Sequence, residues 1–203
     1  MREGQGEQNT VSKILAAATL LFAQKGFSGV SVKEIAEAAG VNIASISYHF
    51  GGKEKLYVEV LDRQFEVIYR LMQLMDDMKL TAIEAIRQFA NFSRQVYEEC
   101  PCFNRLMLSE NVNPNLFYAE QMAEHAQKFR KHMWEILKRG VADGELRADF
   151  DTRVASLALV SLTQYYFNDR DLANVFLEDG SGQDQSERYL REAIELFLRS
   201  VVK

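Results

Sequence analysis

Ala44, Ser45, Ser47, Tyr48 and His49, followed by Lys53, bring small, hydroxylated, aromatic and basic groups together with no carboxylate between Ala44 and Lys53. Such groups suit contact with a nucleic-acid duplex. Short side chains let a backbone approach the major groove, hydroxyls reach base edges or phosphates, and a carboxylate would repel the phosphates. At about 100° per residue in a helix, placing Ile46 inward also turns Phe50, Ile43 and Asn42 toward the body. Ala44 and Tyr48 then point nearly opposite, with Ser45 and Ser47 on the flanks. His49 and Lys53 lie at the far end, placed for backbone phosphates beside the next helix N-terminus, which itself favours anions.

These groups need a scaffold, and the surrounding residues supply its signals. The stretch from Val30 to Leu56 reads VSVKEIAEAAGVNIASISYHFGGKEKL. Ser31 with Glu34 fits a capping box, in which serine side chain and N3 glutamate satisfy each other's orphan amides. Val32, Ile35, Ala36 and Ala39 repeat at helical spacing. Gly40 can take the left-handed conformation that ends a helix, and Asn42 is a good N-cap for the next one. Two helices of roughly two turns each, joined by a turn of about 3–4 residues containing Gly, make a helix-turn-helix.

Three segments carry a family resemblance: ILAAATLLFAQKGF over Ile14–Phe27, VKEIAEAAGV over Val32–Val41 and ISYHFGGKEKL over Ile46–Leu56. Over roughly residues 10–60, without a gap, the chain resembles the tetracycline-repressor (TetR) family of transcriptional regulators. The resemblance implies an all-α protein, with a three-helix DNA-binding head on a helical ligand-binding and dimerisation body. Residue by residue, it implies that Ser31 and Lys33 contact DNA at the start of the first short helix. Asn42, Ile43, Ala44, Ser45, Ser47, Tyr48 and His49 match the recognition helix, and Lys53 matches a phosphate-binding lysine. Ser47 stands where the family often has an aromatic, and Ile43 where a polar base reader is common. Gly51-Gly52 replaces a stiffer turn. These departures leave the operator sequence open.

Length and charge are compatible with this reading. A chain of 203 residues fits a small domain plus a larger one: an expected flexible arm over residues 1–9, a DNA-binding domain over 10–55 and a body over 56–203. The net charge of −5 is unevenly spread. Residues 1–55 hold six Lys or Arg against five Asp or Glu, and the remainder 18 against 24. The expected DNA-binding end is thus the less acidic one. No apolar run approaches the ~20 residues of a membrane span, and MREGQGEQNT lacks a signal-peptide core. Cys100 and Cys102 fit a reducing compartment, so a cytoplasmic location is expected.

Gly and Pro punctuation with apolar spacing of three and four predicts nine helices. The first is Thr10–Lys25, and the two short ones follow. Lys53 to about Asp77 is a long fourth helix, and Thr81 to Glu99 the fifth. A short sixth follows Pro101, Pro114 precedes a seventh ending near Asp143, and the eighth covers about Asp151–Asp169. A polar loop spans about Glu178–Gln185 before the ninth, Ser186 to Val202. The last two helices are apolar nearly all round, which means buried nearly all round. A second copy would cover them through a four-helix bundle, with Leu157, Val160, Leu162, Tyr166, Tyr189, Ile194, Phe197 and Val201 as interface candidates.

The middle of the chain is rich in Met and aromatic residues, most of which simply pack. The resemblance implies a cavity there, and flexible Met among aromatic walls suits an apolar effector. Candidates are Phe65, Tyr69, Met72, Phe92, Phe103, Met107, Met122, Phe129 and Tyr165, with His125 as a polar group on the same stripe as Met122 and Phe129. Neither cofactor nor metal is expected. The histidines lack the Glu-x-x-His spacing of di-iron bundles, and no phosphate loop, zinc-protease motif or nucleophile elbow occurs, so no catalytic residue is assigned. The competing reading is a helix-turn-helix protein that uses DNA as a platform for protein partners.

Overall fold

A computed structural model describes residues 2–177 and 184–203, with side chains from residue 6 onward. The described residues form ten α-helices: α1 Arg2–Lys25, α2 Val32–Ala39, α3 Ile43–Phe50, α4 Lys53–Asp77, α5 Ala82–Glu99, α6 Phe103–Val112, α7 Ala119–Ala142, α8 Thr152–Asn168, α9 Arg170–Leu177 and α10 Ser186–Val201. A 3₁₀ turn covers Leu116–Tyr118. Among the described residues there is no strand, only a single bridge between Leu146 and Val202. None of the helices is long and apolar enough to cross a membrane. The fold is all-α, as expected.

Three boundaries differ from the expectation. The first helix begins at Arg2, well ahead of Thr10. Its early residues include several good helix formers, Glu and Gln among them, so polarity did not mark a boundary there. The second difference is α9, absent from the nine expected helices. Asp169 ends α8, and its Oδ1 accepts from Leu172 N–H at 3.0 Å, so this one carboxylate starts the next helix. Third, a 3₁₀ turn not among the expected elements stands between Pro114 and the seventh helix, which begins at Ala119. Most of the expected polar loop, residues 178–183, lies outside the described residues.

The chain divides into two compact units, and the division does not fall at residue 55. The first comprises residues 1–66 and 102–120, so the start of α4 and all of α6 pack with the head. Within it α1 packs on α2 and α6, and α2 on α3. Its core includes Ile14, Ala18, Phe22, Ile35, Ile46 and Leu56, all buried. Aromatic rings fill the remainder: Phe22 meets Tyr57 edge-on at 4.8 Å, and Phe27 meets Phe117 at 4.9 Å. One buried polar network crosses this core. The Tyr57 hydroxyl donates to Glu110 at 2.6 Å, and the same carboxylate accepts from the Asn115 backbone at 3.2 Å. Burial, reinforced by the facing carboxylate, pushes the Tyr57 pKa far up. The phenol therefore stays a donor at any physiological pH.

The second unit comprises residues 67–101 and 121–203. Its core joins α5, α8 and α10 through Ile86, Phe89, Leu159, Tyr166, Leu190 and Phe197, with Met133 and Leu137 from α7. Thr81 and Glu84 form a capping box that starts α5, and Asp151 caps α8. The Tyr166 hydroxyl, fully enclosed, accepts from Gln185 N–H at 2.8 Å and lies 3.2 Å from Asn174 Oδ1. That contact ties α9 and the start of α10 to α8. Gly140 of α7 is required by close approach. A Cβ there would sit 2.5 Å from Ala82 Cβ and 2.7 Å from Leu146 Cδ1.

Gly140→Ala is accordingly expected to lower stability by about 1–3 kcal/mol through overpacking. Chemical denaturation checks this, and an unchanged unfolding midpoint would show that the Ala82–Leu146 contact yields at no cost.

Candidate nucleic-acid interface

An isolated helix of eight residues is too short to persist in water, so α3 must be held by its ends and its inner face. Asn42 Oδ1 accepts from Ala44 N–H at 2.8 Å, closing the N-terminus. Gly51 takes φ 73° and donates to Ser47 C=O, closing the C-terminus. Ile46 is fully buried. In front of it, α2 is set by the expected capping box: Ser31 Oγ accepts from Glu34 N–H at 3.1 Å, and Glu34 accepts in return from Ser31 N–H at 3.4 Å. Gly40 ends α2 at φ 64°, in the left-handed region that favours glycine.

With Ile46 anchored, the outer face of α3 is the one the helical wheel indicates. Asn42, Ala44, Ser47 and Tyr48 are exposed, Tyr48 by 76%. Ser45 and His49 are half-buried, and the Tyr48 and His49 rings meet edge-on at 4.8 Å. Two positions differ from the wheel, both expected inward: Asn42, the N-cap, is exposed, and Ile43 is 50% exposed. Ile43 occupies the first turn, at the rim, where a helix this short has no second apolar layer to cover it. Ser31 and Lys33 are exposed at the start of α2, with Lys33 in a loose pair with Glu37 at 3.8 Å. Such a surface pair costs little to break.

Lys53 is also held within the fold. Its Nζ donates to the carbonyls of Phe27 at 3.0 Å and Val30 at 2.9 Å, and lies 4.1 Å from the Phe27 ring centroid. Two of its three N–H donors are thereby spent within the fold. The side chain ties the start of α4 to the α1–α2 turn, which leaves one N–H donor for the phosphate contact that the resemblance implies. The cation that remains exposed at this end of α3 is Lys55, whose stem packs beside Gly51. It stands two residues beyond Lys53 in the sequence.

The effector candidates fall into both units. In the first, Phe65 is buried and meets Phe103 edge-on at 5.6 Å, while Met107 is half-buried. In the second, Phe92 is buried, and Tyr69, Met72, Met122, His125 and Phe129 are half-buried. His125 Nδ1 is hydrogen-bonded to the Tyr69 hydroxyl, and Phe129 packs at 6.1 Å from Phe89. Tyr165 is 46% exposed, beside Tyr166, which is fully buried. Burial pushes the Cys102 thiol pKa up, opposite to what a reactive thiolate needs. Among the described residues no group of three or more His, Cys, Asp or Glu could hold a metal ion.

The interface candidates also divide. Tyr166, Ile194, Phe197 and Val201 are buried in their own chain, though Phe197 and Val201 still line a groove at its surface. Val160, Leu162 and Tyr189 are half-buried, with Tyr189 donating to Leu162 C=O at 2.7 Å. Leu157 is exposed by 69%, alongside Val154 and Tyr165 on α8 and Leu196 on α10. Between α8 and α10 lies a groove of about 500 Å³ whose lining includes Val154, Ala158, Leu162, Leu196, Phe197 and Val201.

Comparison with known proteins agrees with this architecture. A model described as "Bacterial regulatory proteins, tetR family" matches residues 14–60, and one described as "Tetracyclin repressor-like, C-terminal domain" matches residues 83–196. The HTH-type transcriptional repressor NicS of Pseudomonas putida is 28% identical over 180 residues, 85% of this chain and 82% of the relative. The TetR family transcriptional regulator PfmR of Thermus thermophilus superposes with a TM-score of 0.75 at 24% identity, covering 92% of this chain and 97% of its own. The transcriptional regulator FadR of Bacillus subtilis, solved with stearoyl-CoA, gives 0.72 at 19% identity, with 92% and 97% coverage. The second family model alone spans more than half of the chain, and with the head matched as well, this chain belongs to the TetR family of bacterial regulatory proteins.

Proposed function

We propose that this DNA-binding transcriptional regulator is a cytoplasmic repressor that occupies a palindromic operator as a homodimer and is released by a small, largely apolar effector. The observation that carries the reading is the outer face of α3: Ala44, Ser47 and Tyr48 exposed and free of carboxylates, over a fully buried Ile46. Asn42, Ser45, His49 and Ile43 extend the same surface, and Ser31, Lys33 and Lys55 border it. Lys53 clamps the start of α4 to the α1–α2 turn and keeps one N–H donor for a phosphate.

Dimerisation follows from the exposed apolar residues of α8 and α10. Val154, Leu157 and Leu196 are each more than 60% exposed, and a second copy would remove them from water. In such a dimer the two recognition helices must lie about one duplex turn apart, ~34–36 Å or a multiple of it. The effector site is placed in the second unit, among Tyr69, Met72, Phe92, Met122, His125 and Phe129. The relative FadR was solved with stearoyl-CoA, a ligand with a long apolar tail. Because α4 runs unbroken from Lys53 to Asp77, a shift imposed near Tyr69 would be carried along the helix to the clamp. A typical coupling of ~1–3 kcal/mol would change operator affinity about 5–150-fold.

Two outcomes are expected. Tyr48→Ala should weaken binding to an operator recovered by genomic selection at least about ten-fold, with the melting temperature unchanged; equal affinity in a fluorescence-anisotropy titration would remove α3 from the interface. Leu157→Glu should give monomers by light scattering and weaken operator binding as half-sites lose their linkage. A stable dimer would place the subunit contact on another face.

A further inference from the structure

Seven residues beyond His125 on α7 stands His132, and its situation is different. The side chain is nine-tenths buried. Its Nδ1 faces Asp76 Oδ1 of α4 at 3.6 Å, too far for a hydrogen bond yet close enough for the carboxylate charge to act. Its Nε2 is buried and has no hydrogen-bond partner among the described residues. Buried polar atoms are nearly always partnered, and an exception asks for an explanation. On α7 the neighbours at helical spacing are Phe129, itself packed on Phe89, and the buried Ile136.

The carboxylate settles which nitrogen carries the proton. A lone pair on Nδ1 would point toward a negative charge, whereas an N–H there points its positive end at it. The Nδ1–H tautomer is therefore favoured, and Nε2 is left as an acceptor. Burial holds the imidazole pKa below its ordinary value; Asp76 opposes that shift and Arg139 adds to it. The ring is thus neutral at neutral pH, and the buried lone pair on Nε2 is its one unmet hydrogen-bonding group. His125 offers no equivalent at its Nδ1, which is hydrogen-bonded to Tyr69.

We propose that His132 is the polar anchor of the effector site, its Nε2 accepting a hydrogen bond from a hydroxyl or N–H group carried on an otherwise apolar molecule. This rests on the effector reading above and narrows it: the effector class is alcohols, phenols or amides, and not hydrocarbons, ethers or ligands offering only acceptors. A group that cannot donate would leave the buried lone pair unmet, which disfavours it.

The test uses the full-length protein and two probes, 2-naphthol and 2-methoxynaphthalene, which differ by the donor. Calorimetry on the wild type should show 2-naphthol bound about ten-fold tighter, the value of one buried hydrogen bond. In His132→Phe that preference should vanish while operator affinity without probe is kept. A long-range ¹H–¹⁵N spectrum of the wild type, which needs no variant, should show Nε2 unprotonated. Equal affinity for the two probes, no binding of either at millimolar concentration, a preference that survives in His132→Phe, or a protonated Nε2 would each overturn the proposal. Loss of operator binding by the wild type would instead strike the repressor reading and leave the His132 assignment standing.

Discussion

An eight-residue helix such as α3 cannot hold itself, and the packing of the head around it supplies what it lacks. The single most economical device is the Lys53 ammonium, which donates to Phe27 and Val30 and rests against the Phe27 ring. A charged group with two carbonyl partners and an aromatic face forms strong, directional contacts. Through it the first residue of α4 is fixed to the turn that launches α2. The glycine that ends α3 lies two residues earlier in the chain, so the clamp bounds the far end of the recognition helix as well. Ile46 supplies the remaining constraint from beneath.

Behind that clamp the first unit is braced by chemistry of another kind. Tyr57, one turn along α4 from Lys53, donates into the buried carboxylate of Glu110 on α6. Removing either partner would strand a polar group inside the aromatic cluster of Phe22, Phe27 and Phe117, which is costly. The head is therefore larger than a helix-turn-helix: α6 and the 3₁₀ turn after it share its core. Any signal that displaces α4 or α6 acts on the head directly.

What could be read in the sequence was whatever depends on neighbours in the chain. The Ser31–Glu34 capping box, the left-handed Gly40 and the Asn42 cap are each set by residues within four positions, and all three stand as expected. Helical period placed Ile46 inward and Ala44 and Tyr48 outward, but it also turned Asn42 and Ile43 inward, and both are exposed. The role of Lys53 was not legible, because its acceptors lie 23 and 26 residues away and a free lysine looks the same in sequence. Similarly, α8 and α10 were recognisable as apolar all round, but period alone does not say which side meets the chain's own core. Hence the interface candidates Tyr166 and Ile194 lie in the chain's own core, Phe197 and Val201 sit at the floor of the α8–α10 groove, and Val154 and Leu196 hold the exposed positions. His132 was invisible for the same reason: its significance depends on Asp76, on another helix.

The central claim is that the outer face of α3 lies against base pairs. The most direct measurement is a structure of the full chain bound to its operator duplex. The account predicts α3 of each subunit in the major groove, with Ala44, Ser47 and Tyr48 at base edges and the Lys53 clamp intact. A complex in which α3 faces solvent while another element enters the groove would contradict it.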